Sequence, residues 1–202
     1  MTTAPEADLR LLDATADSAL ANYAQRGGFP PFCMMQTGED TMLLIPSKGF
    51  PDQDAKYDFV NFLRYASIEN QGLRAAFAME NWTVFSKDPA DLALLEEIYA
   101  RGGSMSEHPK VGEAITVIVE SDDGTTMRMH RIVRDGDTVT LEAGETDFEP
   151  AGTRKTAGVF SGFHIPTGMQ GTAPAHAFAA EMRKQVATAM HPIKPHTPAK
   201  PN

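Results

Sequence analysis

The residues of this 202-residue chain that are best suited to chemistry are carboxylates and imidazoles in its second half. They are Glu107, His108, Glu113, His130 and His164. Such side chains serve as ligands and bases in metal-assisted hydrolysis when three of them converge. The spacing does not enforce convergence, because there is no H-E-x-x-H, no H-x-H and no pair of cysteines. A small metal- or anion-binding hydrolase that uses His108, His130 and Glu113 is therefore the alternative hypothesis, and no metal site is predicted.

A basic strip is the second candidate for chemistry. Arg128, Arg131 and Arg134 stand close together in an otherwise acidic part of the chain. Planar guanidinium groups suit the recognition of phosphates or carboxylates, which predicts an anion-binding surface. The competing interpretation, which we favour, pairs these arginines with carboxylates on the adjacent predicted strands. Those carboxylates are Glu113, Glu120 and Glu142.

Sequence motifs for the common catalytic sites are absent. The chain contains no nucleophile elbow, Walker loop, dinucleotide fingerprint or kinase signature. Its one cysteine, Cys33, lies in an apolar run without a neighbouring base, so a buried and inert thiol is predicted. No cofactor is expected, and the sequence favours a protein that is not an enzyme.

Charge is distributed unevenly along the chain. Residues 1–150 contain 12 Lys and Arg against 26 Asp and Glu, a net charge of −14, whereas residues 151–202 contain six against one, a net charge of +5. An acidic body argues against nonspecific binding of nucleic acids. The basic C-terminal segment is expected to dock on its own acidic body, on an acidic protein partner or on a neighbouring subunit, and the first is favoured.

The chain shows no sign of membrane insertion or export. No apolar run approaches the roughly 20 residues that a membrane span needs. Residues 1–8 have no basic region and no apolar core, so a secretory signal is not expected. A single cysteine fits a reducing compartment, and a cytoplasmic location is predicted.

The elements that would position these residues centre on residues 113–143. Three alternating apolar runs are separated there by two Asp-Gly pairs, which predicts a three-stranded antiparallel meander. We expect helices to cover one face of this sheet and leave the face with Arg128 and His130 more exposed to water.

The N-terminal part of the chain supplies helices and further strands. Apolar periodicity and turn residues predict helices over 5–26 and 54–71, a hairpin of 32–36 with 41–45, a strand over 73–86 and a helix that begins at Asp88-Pro89. Trp82 is predicted to be a core or interface anchor. The fold class is α+β, an antiparallel sheet packed by helices.

The C-terminal part is predicted to be a loop over 145–150, a last strand over 156–165, a linker and a helix over 175–190. Phe178, Met182, Val186 and Met190 form a narrow apolar stripe on that helix, which suits docking in cis or on a partner. Together with Arg183 and Lys184, these residues are the predicted partner-binding surface. The predicted organisation is an N-terminal helix over 1–28, one α+β domain over 29–166, a linker and helix over 167–190, and a disordered Pro-rich tail over 191–202.

Three short stretches, the W-T-V at Trp82, the E-H-P at Glu107 and the strand E-A-I-T-V-I-V from Glu113, resemble small uncharacterised bacterial proteins. The resemblance implies no function. The leading hypothesis is a non-enzymatic interaction or accessory protein of a bacterial type. It would form a homo-oligomer or bind a protein partner through its basic C-terminal segment.

Overall fold

The computed structural model describes residues 3–38, 40–46, 50–86, 88–136, 138–153 and 161–189. Its helices are α1 (Glu6–Arg26), α2 (Gln53–Glu69), α3 (Pro89–Ala100), α4 (Thr167–Gln170) and α5 (Ala173–Ala189). Its strands are β1 (Phe32–Thr37), β2 (Asp40–Leu44), β3 (Arg74–Val84), β4 (Val111–Ser121), β5 (Gly124–Asp135) and β6 (Thr138–Pro150). The predicted α+β class is confirmed.

The six strands form one antiparallel sheet in the order β2-β1-β3-β4-β5-β6. The hairpin of β1 with β2 and the meander of β4, β5 and β6 are both present as predicted. The turn between β4 and β5 is tight, because Ser121 pairs directly with Gly124. The β5–β6 turn passes through Gly136 at a φ of 58°, a conformation that glycine adopts at little cost. The two Asp-Gly pairs therefore predicted the turns correctly.

Helices cover both faces of the sheet, so the prediction that they lie on one face is wrong. On one face, α1 buries Leu12, Ala16 and Tyr23 against alternate residues of β3, β4 and β5. On the other face, α2 packs Leu63 and its neighbours against Phe77 and other side chains of β1 and β3. Four consecutive residues of β3 (75–78) and four of β4 (114–117) are buried, which is typical of strands that are covered on both sides.

The face of β5 that holds His130 is also drier than predicted. His130 and Ile132 are buried under α1, and Arg128 reaches Asp13 of that helix at 2.7 Å. The alternation of polar side chains along β5 indicated a face exposed to water. It instead reflects a basic strand that lies beneath an acidic helix.

The helix ends follow from local sequence. Asp88 caps α3 by accepting a hydrogen bond from the backbone N–H of Ala90 at 2.9 Å, as the Asp-Pro pair predicted. Asp52, two residues before the predicted start of the helix, caps α2, with Oδ1 at 2.8 Å from Ala55 N. Gly27 ends α1 in the left-handed conformation, and its N–H bonds to Tyr23 O.

The chain after the meander differs most from expectation. Residues 145–150 continue β6 rather than forming a loop, because they pair with the start of β5. The predicted strand over 156–165 lies partly outside the described residues, and its described part, 161–165, is a loop that buries Phe163 in the core. The predicted linker contains α4, and α5 begins at Ala173. The predicted tail over 191–202 lies outside the described residues.

Candidate functional sites

His108 holds a structural position at the corner between α3 and β4. Its side chain is buried, Nδ1 accepts a hydrogen bond from Lys110 N at 3.1 Å, and Nε2 lies 3.1 Å from Asp91 O. Since Nδ1 accepts, the proton is assigned to Nε2, which donates to the carbonyl of Asp91. Both ring nitrogens are therefore engaged by the protein, which leaves no free base at this position.

Neither His130 nor Glu113 joins His108, and Nε2 of the buried His130 has no hydrogen-bond partner among the described residues. His130 is buried beneath α1, and its pKa is lowered by burial and by the nearby Arg128. Glu113 accepts hydrogen bonds from Arg134 at 2.7 and 2.9 Å. Within the described ranges, no group of three or more His, Cys, Asp or Glu side chains is arranged to hold a metal ion. The geometry thus gives the hydrolase hypothesis no assembled site.

The three arginines of the predicted anion site lie on different faces of the sheet. Arg128 and Arg134 point toward α1, where Arg128 pairs with Asp13 and Arg134 pairs with Glu113. Arg131 points to the opposite face, and its guanidinium lies over the ring of Phe85 at 5.1 Å. The favoured interpretation, in which each arginine pairs with a carboxylate on an adjacent strand, holds for Arg134 with Glu113. For Arg128 the partner is on the helix, not on a strand.

The apolar stripe of α5 is covered by the same chain. Phe178, Ala179 and Ala175 pack with Ile68 of α2. Arg183 Nη2 donates to both carboxylate oxygens of Glu69 at 2.7 Å, which joins the basic segment to the acidic body. Docking in cis, one of the predicted outcomes, is therefore what the structure shows for this part of the stripe.

The remaining residues of the predicted partner-binding surface differ in their exposure. Met182 is buried, whereas Lys184 is exposed and pairs with Glu181 at 3.1 Å. The side chain of Val186 and all of Met190 lie outside the described part of the chain. Binding of a partner through this surface stays a prediction.

A partly buried polar network at one end of the sheet was not predicted from the sequence. His164 Nδ1 lies 3.4 Å from Ser67 Oγ, and His164 Nε2 lies 3.2 Å from Asp122 Oδ1. Burial alone would raise the pKa of Asp122, but hydrogen bonds from Thr167 and His164 hold it below the usual value. The order Ser, His, Asp is that of a nucleophilic triad.

This network binds a loop in place and does not form a catalytic site. Ser67 is 0% exposed, and its hydroxyl also accepts from Ile165 N at 3.3 Å, so the hydroxyl is shielded from solvent and engaged by the loop. The buried Glu120 accepts from Gly162 N at 2.6 Å and His164 N at 3.1 Å. The only sequence signal was His164, because the other members are separated by tens of residues and meet only through the tertiary fold.

A cleft of about 570 Å³ lies beside this network. It is enclosed by the β1–β2 turn, the C-terminal end of α2 and the corner between α4 and α5. Its volume falls in the range of small-molecule sites. The side chains that matter for its chemistry are Thr37, Asn70, Gln71, Leu73, Gln170 and His176.

A second concave surface lies on the face of the sheet that holds α1, beside β2. A groove of about 290 Å³ runs between α1 and this strand, with Phe32 and Met34 among its lining residues. Leu43 of β2 and Ile45, just after the strand, line the groove and are 57% and 51% exposed. We call Phe29, Phe32, Met34, Leu43 and Ile45 together the β2 edge surface.

Trp82 is also exposed, at 57%, so it is not a core residue as one predicted alternative had it. It lies on the face of β3 that packs against α1, since it alternates with Ala76 and Ala78. A role as an interface anchor stays a prediction.

Cys33 is fully buried. Burial is the main cause that raises the pKa of its thiol, and the negative charge of Glu120 raises it further. The prediction of a buried thiol is confirmed, and the raised pKa keeps the thiol in its unreactive protonated form at neutral pH.

None of the helices in the described part of the chain is both long and apolar enough to cross a membrane. Comparison of the chain with protein-family models, with curated proteins and with solved structures finds no match.

Proposed function

We propose that this protein is a non-enzymatic interaction protein that associates with a second copy of itself in the cytoplasm. The observation that carries the proposal is the difference between the two edges of the sheet. An open edge strand offers unpaired N–H and C=O groups to another chain, and proteins that avoid such pairing protect their edges with charges. Only one of the two edges here carries such protection.

The β6 edge is protected by carboxylates. Its strand carries four of them along 13 residues, and its pairing with β5 is interrupted by a bulge near His130. They are Glu142, Glu145, Asp147 and Glu149. A second strand that approached this edge would bring its own backbone and side chains against a row of negative charge, which disfavours pairing.

The β2 edge has little charge. Asp40 is the one ionisable residue of β2 itself, and Leu43 and Ile45 next to it are half exposed. Antiparallel pairing of β2 with its own copy satisfies a twofold axis, because each strand then donates to and accepts from an identical strand. The same contact would cover the exposed parts of Leu43 and Ile45 in both copies.

Charge complementarity favours a second copy as the occupant. Residues 1–150 carry a net charge of −14 and residues 151–202 carry +5, so each copy offers both signs to the other. The cis pair of Arg183 with Glu69 illustrates this attraction within one chain. The basic segment beyond α5 would add a salt-sensitive contribution to the association. A cytoplasmic location is supported by the single cysteine.

Sedimentation velocity over a range of protein concentrations tests the proposal. We expect the wild type to form dimers, and the double substitution Leu43→Lys with Ile45→Lys to weaken dimerisation at least about tenfold by placing like charges at the paired edge. Val139→Lys is the matched control, since Val139 is 42% exposed on the opposite edge strand. A wild type that stays monomeric throughout, or a control that weakens association equally, contradicts the proposal.

A variant that ends at residue 189 tests the basic tail separately. If the tail contributes, this variant dimerises more weakly at low salt but equally at high salt, because screening removes charge attraction. If the variant dimerises as tightly as the wild type at both salt concentrations, the association is assigned to the β2 edge surface alone.

A further inference from the structure

Gln71, which lines the cleft at the end of α2, has an unusual backbone conformation. Its φ is 52°, and it is the one residue other than glycine with a positive φ in the described part of the chain. It occupies the first position after the C-cap Asn70, where a helix usually ends with glycine. Gly72 follows at once, and its N–H bonds to Ser67 O at 2.8 Å. A side chain at this position therefore has a conformational cost that glycine would avoid.

The cleft around Gln71 is polar but almost uncharged. Among the described residues that line it there is no Lys, Arg, Asp or Glu, and His176 is the one ionisable group of that set. Three primary amides meet here, those of Asn70, Gln71 and Gln170. An uncharged lining of this kind does not compensate for the desolvation of an ion, so a neutral ligand is favoured.

Hydrogen bonds within the protein occupy the amide NH₂ groups of two of these side chains. Gln170 Nε2 donates to Gly72 O and to Ile165 O, both at 2.7 Å, and Asn70 Nδ2 donates to Ala66 O at 2.8 Å. The amide oxygens of Gln170 and Asn70 remain as acceptors, whereas the amide of Gln71 offers a donor and an acceptor side by side. The half-exposed Leu73 adds an apolar wall.

We propose that this cleft binds a neutral, nucleoside-sized ligand that presents an N–H donor beside a C=O acceptor, as in a pyrimidine base or a lactam. Gln71 recognises that edge through two hydrogen bonds, and the amide oxygens of Asn70 and Gln170 accept from further donors of the ligand. Gln71 carries a backbone cost that glycine would avoid and in return places an amide side chain where it contacts the ligand. This site is separate from the β2 edge surface and does not depend on self-association.

A matched pair of probes tests the ligand class. In ¹H–¹⁵N NMR titrations, 1-methyluracil is expected to shift the signals of residues 37–38, 70–73 and 170–176. The analogue 1,3-dimethyluracil has nearly the same size but lacks the N–H donor, and it should bind at least about tenfold more weakly, as expected for one lost hydrogen bond. Equal shifts from both probes, or no shifts from either at millimolar concentrations, would overturn the proposal.

Variants of Gln71 test the role of its side chain. Gln71→Gly relieves the backbone strain, so Tm should rise by about 2 °C, and binding of 1-methyluracil should weaken about tenfold. Gln71→Asn keeps the amide and tolerates a positive φ, so it should retain more of the binding. A Gln71→Gly variant that is more stable and binds 1-methyluracil as well as the wild type would contradict the role assigned to Gln71.

Discussion

Met34 and Leu43 lie directly opposite each other on β1 and β2, on the same face of the sheet, but only one of them is covered. Met34 packs under α1, where Thr15 Oγ1 lies 3.4 Å from its sulfur. Leu43 is one strand farther out, beyond the reach of the helix, and is more than half exposed. The helix thus covers the sheet as far as β1 and leaves β2 uncovered on this face, which is the basis of the proposed self-association.

Truncation should show that α5 is part of the folded body. A chain that ends at residue 166 loses α4 and α5, which uncovers Ile68 and removes the hydrogen bonds from Gln170 to Gly72 O and Ile165 O. We expect this variant to lose at least about 2 kcal/mol of stability in urea unfolding, because a buried isoleucine and a polar network become exposed. A chain that ends at residue 189 is the control and should unfold like the wild type. Equal stability of the two truncated chains would show that α5 contributes nothing to the fold.

Stability should fall in mildly acidic solution because of His130. Burial first, and then the positive charge of Arg128, lower the pKa of this histidine, whereas Asp17 of α1 acts in the opposite direction. The unfolded chain therefore binds a proton at a higher pH than the folded chain. The free energy of unfolding is unaffected while His130 is neutral in both the folded and the unfolded chain. It decreases as the pH falls below about 6.5.

The variant His130→Leu should remove this loss. The measurement is the free energy of unfolding in urea at several pH values between about 7.5 and 5. His176→Gln, at an exposed position on α5, is the control and should retain the wild-type dependence. If His130→Leu loses stability with falling pH as steeply as the wild type, the effect has another origin.

Glu120 should be needed to hold the loop at residues 161–165. Its buried carboxylate accepts two backbone N–H groups, from Gly162 and His164. Glu120→Gln places an amide NH₂ against one of these donors, so we expect a loss of about 1–3 kcal/mol in urea unfolding and faster proteolysis at this loop. Asp123→Asn, at an exposed position in the nearby turn, should change stability by less than about 0.5 kcal/mol. Similar effects of the two substitutions would argue against this role of Glu120.

Local sequence signals predicted the elements well and the packing less well. Asp88-Pro89, Gly27 and the two Asp-Gly pairs mark helix ends and turns because their preferences act within a few residues. The two-sided burial of β3 was missed, although the unbroken apolar run from Ala75 to Ala78 is the pattern of a strand that is covered on both faces. Strand pairing over 145–150 was missed because acidic residues there indicated a loop.

The candidate sites depended even more on long-range contacts. Ser67, Asp122 and His164 meet only because the loop after β6 returns to the end of α2, and no local pattern encodes that return. Gln71 could not be singled out either, since its positive φ is a property of the folded helix end. His108, by contrast, lies where the sequence allowed, as a loop residue at the start of the meander.

Amide hydrogen exchange along β2 tests the proposed self-association most directly. Among the described residues of one copy, no strand pairs with the outer side of this strand, since β2 is the last strand in the order. We predict that exchange at residues 40–45 slows as the protein concentration rises through the dimerisation range. Exchange at the charged outer edge of β6, residues 138–150, should stay constant. Exchange at residues 40–45 that is independent of concentration, in a sample shown by sedimentation to be dimeric, would contradict pairing through β2.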